Sequence, residues 1–102
     1  MTDKYILEGK SAVPCNSLME WAKWFEGSGK QRQVADDTIG DSRVSTVFLG
    51  IDHSFGGTTP ILFETMVFGG HLDQDQARYT YWEDAEKGHK AMVERVKKEK
   101  AG

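Results

Sequence analysis

Two stretches decide the fold: residues 43–51 (RVSTVFLGI) and 61–68 (ILFETMVF). In the first, Val47, Leu49 and Ile51 lie on one face of an extended chain, and Val44 and Phe48 on the other. The second is also apolar on both faces, with Glu64 sharing a face with Leu62, Met66 and Phe68. Runs of this kind predict central strands of a sheet covered on each side. Between them lie residues 52–60 (DHSFGGTTP), rich in glycine and hydroxyls, so the pair reads as an antiparallel hairpin with a long loop.

Working outward, Gly40-Asp41 has the character of a primed hairpin turn and predicts a solvent-facing strand over 31–39. Downstream, Gly69-Gly70 ends the second strand, an acidic loop covers 71–77, and residues 78–80 predict at most a short strand. Near the N-terminus, residues 5–7 (YIL) and 12–13 (AV) flank a glycine turn. The capping-box pattern Ser17-Leu18-Met19-Glu20 opens a helix of about ten residues, in which Leu18, Trp21, Ala22 and Phe25 share a face. Gly27-Ser28-Gly29 is expected to close it through a left-handed glycine, and Trp24 is expected to be the most exposed of the three tryptophans. Thr80-Tyr81-Trp82-Glu83 repeats the capping box, and Trp82, Ala85, His89, Met92, Val93 and Val96 recur at helical spacing to about Lys98. Gly88 inside that helix would cost about 1 kcal/mol relative to alanine, which predicts close approach to the sheet or to a partner. The expectation is an α+β fold: one domain over 1–102, an antiparallel sheet of about four strands, and two amphipathic helices packed on one face.

Composition narrows the function classes. The chain has 102 residues, 38% hydrophobic and 28% charged, room for one thin core. It has no apolar run long enough for a membrane span, and Met1-Thr2-Asp3-Lys4 lacks the order of a signal peptide, so a cytoplasmic location is expected. One cysteine, Cys15, forms no internal disulfide. Residues 36–84 hold nine acids against two bases, while the net charge of the chain is −3. With a pI of 5.5, duplex nucleic acid is not an expected partner, whereas a protein with a basic surface is. Three tryptophans on a thin core are compatible with a homodimer.

The candidate binding residues are Asp52, His53, Phe55, Gly56 and Gly57 of the long loop, Glu64 on the second strand, and Asp73 and Asp75 as a second acidic patch. The loop sets a carboxylate and a histidine beside glycine amides, a combination able to hold an anion, with His53 as acid or base. It matches no phosphate motif. A carboxylate among apolar neighbours, as at Glu64, must be paired or shift its pKa, and Arg43 or Arg78 would pair it. No metal site is expected: eight strand residues would separate His53 from His71 by about 25 Å. His89 reads as a core-edge histidine with one hydrogen bond. No catalytic constellation or cofactor motif is found, so a non-enzymatic role is expected.

The stretches VSTVFLGIDHSFGG (44–57), ILFETMVFGG (61–70) and YWEDAEKGHKAMV (81–93) resemble a group of small, largely uncharacterised proteins of tailed bacteriophages and prophages. The likeness extends to YILEGKSAVP and EWAKWFE. It implies an accessory protein in the bacterial cytoplasm that binds a host protein, such as a component of a defence system like CRISPR. The alternatives are a small-molecule protein (anion or nucleotide) or minor enzyme built on the 52–57 loop, and a virion component.

Overall fold

The computed structural model describes residues 2–101 and, within them, the side chains of residues 2–99. Strands β1 (Tyr5–Glu8) and β2 (Ser11–Pro14) form a two-stranded hairpin. Helix α1 (Leu18–Gly27) follows, then β3 (Gln33–Ile39), β4 (Ser42–Phe48), β5 (Phe63–Phe68) and β6 (Gln76–Tyr79), which pair in chain order as a four-stranded antiparallel meander. Helix α2 (Trp82–Ala101) ends the chain. The fold is α+β, as the sequence predicts, with the strands divided between two sheets.

The meander has two unlike faces. Val44, Thr46 and Phe48 on β4 stand opposite Val67, Thr65 and Phe63 on β5, and all six are fully buried. Helix α2 covers this face, contacting every strand of the meander, with Ala85, His89, Met92 and Val96 buried against it. The expected helical stripe is therefore the real one. Gly88 is part of the reason it fits: a Cβ there would overlap the Tyr79 phenol, so only glycine lets α2 come this close to β6.

No other element among the described residues covers the opposite face, contrary to the prediction from its apolar residues. Instead Arg43 reaches Asp36 at 2.7 Å and Arg78 reaches Glu64 at 2.9 Å on this face, with the Arg43 guanidinium 5.8 Å from the centroid of the Phe68 ring. Phe68 remains 44% exposed. Leu62 departs from the expected alternation. It leaves the face of Glu64 and packs in the core with Leu7, Phe48, Phe63 and Ala85.

Helix α1 does not lie beside α2; it docks on β1. Its anchor is Trp21, whose Nε1–H donates to the carbonyls of both Tyr5 and Gly50. Gly50, at φ 78°, passes so close under the Phe25 ring that a Cβ would sit 2.8 Å from Cε2. Ser17 caps the helix by accepting from the Glu20 amide at 3.2 Å, one half of the expected capping box. The C-terminus differs from expectation. Neither Gly27 nor Gly29 is left-handed; Ser28 is the cap, its amide and hydroxyl both donating to the Phe25 carbonyl. Trp24, like Trp21 and Trp82, is half-buried, and it lies edge-on to Phe48 at 5.8 Å, whereas Leu18, expected on the apolar face of α1, turns outward to 62% exposure. The primed turn at Gly40-Asp41 forms as read, with Ile39 opposite Ser42 and Gly40 at φ 58°. No helix among the described residues is long and apolar enough to cross a membrane.

Candidate functional site

The 52–60 loop grows from the ends of β4 and β5. Its legs pair briefly, Leu49 N–H to Leu62 O and His53 N–H to Ile61 O, and Asp52 N–H donates to Asp3 O. Inside this base the Asp52 carboxylate accepts from the Ser54 amide at 2.8 Å, the Ile61 amide at 2.9 Å and the Ser54 hydroxyl at 3.0 Å. Partial burial works against ionisation of Asp52, but those three hydrogen bonds and nearby His53 outweigh it and hold the carboxyl below the ordinary aspartate range. Asp52 thus ties the loop rather than presenting a charge to a ligand.

The tip is a tight turn in which Gly57 N–H reaches Ser54 O. Phe55 and Gly56 occupy its two central positions at φ 55° and 92°, the mirror-image conformation that asparagine and glycine usually fill. Phe55 is 91% exposed. A phenylalanine with positive φ is a genuine outlier, and here it is held outward by a base fastened at Asp52.

The other sequence-selected residues lie elsewhere. Glu64, 17% exposed, is on the open sheet face and paired with Arg78. Asp73 and Asp75 are in the β5–β6 connection, at the opposite end of β5 from the 52–60 loop. Asp73 accepts from the Gly69 amide and Asp75 pairs with Arg95 of α2 at 3.0 Å. The eight candidates therefore form three separate groups, and His53 and His71 fall at opposite ends of the β4–β5 pair. No group of three or more His, Cys, Asp or Glu able to hold a metal occurs among the described residues.

One polar constellation exceeds the sequence reading, which gave His89 a place at the core edge and a single hydrogen bond. His89, 3% exposed, contacts Thr46 Oγ1 through Nδ1 at 2.7 Å and Asp37 Oδ2 through Nε2 at 2.7 Å, while Thr46 Oγ1 contacts Thr65 Oγ1 at 2.6 Å. An ionised Asp37 can only accept, so Nε2–H donates to it; with the imidazole neutral, Nδ1 then accepts from the Thr46 hydroxyl, and Thr46 accepts from Thr65. Each of the contacts between Asp37, His89, Thr46 and Thr65 then has a donor and an acceptor. The order of residue types is that of a nucleophile–base–acid relay, but Thr46 and Thr65 have no exposed surface, so no substrate reaches the hydroxyl. The network's role is to tie α2 to β3, β4 and β5. Its sequence signal is the pair of threonines set centrally among apolar residues on two buried strands, facing the one histidine of the helical stripe.

No family model matches this chain, and neither a curated protein nor a solved structure is detectably similar to it.

Proposed function

We propose that the chain is a non-enzymatic binding module that engages a protein partner through the 52–60 loop, with Phe55 as its anchor. The observation that carries this reading is Phe55 itself, 91% exposed and left-handed at the tip of a fastened loop. Backbone strain of this kind costs on the order of 1–3 kcal/mol and tends to persist at ligand clamps and switch regions. Burying the ring against a partner would contribute roughly 1.5–3 kcal/mol, and a loop already held in one shape loses little entropy on binding. The only relay-like constellation among the described residues is buried, which favours binding over catalysis.

The acidic central segment favours a partner with a basic surface. If the chain is, as its sequence suggests, a small phage protein, a bacterial host protein is the first class to test, beginning with defence complexes such as CRISPR effectors. Tagged full-length chain and its Phe55→Ala variant, expressed in bacteria, should differ: the wild type recovers a stoichiometric partner and the variant at least about tenfold less, at unchanged melting temperature. In a CRISPR-defended host, the wild type should restore plating of a targeted phage and the variant should not. Equal recovery by both proteins would remove Phe55 from the interface, and recovery of no partner by either would overturn the binding role.

A further inference from the structure

We propose that the end of the molecule carrying Phe55 is an interface between two copies of this chain, in which the Phe55 ring of each enters an apolar cleft of the other. Resting on the reading of Phe55 as an anchor, this arrangement puts a second copy over the ring in the free protein, so that a host protein and a second copy exclude one another. Five large hydrophobic side chains are exposed among the described residues: Leu18, Met19, Phe55, Phe68 and Tyr81. All but Phe68 are held at this end. Asp52 N–H donates to Asp3 O, Lys4 pairs with Ile51 and Cys15 N–H donates to Lys4 O, which sets the first turn of α1 on one flank of the 52–60 loop. On the other flank, Leu62 N–H donates to Tyr79 O, and Tyr81 lines a cleft together with Pro60 at the end of the same loop. Phe68 ends β5 at the far side of the sheet.

The cleft has a volume of about 310 Å³, with Tyr5, Pro60, Leu62, Phe63 and Tyr81 among its walls. A cavity of about 150 Å³ already accepts benzene, so the cleft has room for a phenyl ring. A surface that carries both a projecting ring and an apolar cleft is complementary to itself, because a two-fold axis brings each ring to the other copy's cleft. That is the reason to assign a second copy to it.

The area agrees. Met19 is 70% exposed and Tyr81 62%, and with Leu18 and Phe55 they leave on the order of 500–600 Å² uncovered per copy. Joining two such ends removes roughly 1,000–1,200 Å² from water, the lower bound for a specific interface. The charges at the base of the loop are already partnered: Asp52 is turned inward and Asp3 pairs with Lys4 at 3.2 Å, so association leaves neither carboxylate without a partner.

The test is sedimentation velocity of the full chain from about 1 µM to about 1 mM, over which monomers should pass to dimers with half-association in the micromolar range. Phe55→Ala should weaken the dimer at least about tenfold, and so should Tyr81→Glu and Met19→Lys, which change exposed side chains and should leave the melting temperature unchanged. Phe68→Ala, at the other end, should leave the dimer as it is. A chain still monomeric at about 1 mM, a dimer that resists Phe55→Ala, or one that Phe68→Ala weakens equally would each overturn the proposal. Its failure is distinct from failure of the host-protein reading: a chain monomeric throughout can still recover a bacterial partner through Phe55, and a chain that recovers none can still dimerise.

Discussion

At the scale of single residues, the consequential positions are those where a polar group or a missing side chain meets a packed interior. Thr46 is the clearest. Valine has its shape, so Thr46→Val creates no cavity but leaves His89 Nδ1 without its hydroxyl donor. The expected loss is about 1–3 kcal/mol in urea denaturation, the cost of stranding a buried acceptor. Gly88 gives the opposite of its usual outcome. Glycine to alanine in a helix interior ordinarily stabilises by up to about 1 kcal/mol, yet Gly88→Ala should lower the melting temperature because its methyl group would occupy the place of the Tyr79 phenol. The special status of Gly88 was legible in the sequence as a glycine out of place. The role of Thr46 was not, since its partners are 19 and 43 residues away in the chain.

At the scale of elements, the 52–60 loop depends on one carboxylate. Asp52→Ala removes three hydrogen bonds at once and should free the loop, seen as loss of chemical-shift dispersion at Ser54 and Ile61. The same dependence sets a pH response. The folded-state pKa of Asp52 is depressed below the ordinary 3.8, so its contribution is fully present above that value and is lost as pH falls through the lowered one. The Ser54 and Ile61 amide resonances should therefore hold steady through mildly acidic pH and move only below about 3.8. A titration already complete by pH 5 would contradict the assignment. The loop was legible in the sequence as a long hydroxyl-rich connection. Its internal fastening was not, because nothing in DHSFGGTTP says that the aspartate turns inward and the phenylalanine outward.

At the scale of the whole molecule, the two faces of the meander carry unequal weight. Phe48 is fully buried and touches Trp24 and Phe63, so Phe48→Ala should cost about 3–5 kcal/mol, a large share of the stability of a domain this size. Phe68→Ala on the open face should cost less than about 1 kcal/mol. Paired denaturation curves check both, and a comparable loss for the two would mean that the open face is covered in solution. The molecule is long, 48 Å by 29 Å by 20 Å, because the β1–β2 hairpin and α1 extend the end of the sheet–helix sandwich instead of adding a second layer beside α2.

By itself the sequence determined most of the elements and the β3–β4 and β4–β5 pairings: period-two and period-3.6 patterns, the Gly40-Asp41 turn and the stripe from Trp82 to Val96 are local signals, each carried by neighbours in the chain. Only the tertiary structure decided which apolar face is covered, where α1 docks, and which polar groups meet. Val47 and Val44 are alike as residues, but one lies on the open face between Gln33 and Glu64 and the other beneath a helix. Burial, and with it the cost or value of every polar atom, is a property of what arrives from far along the chain.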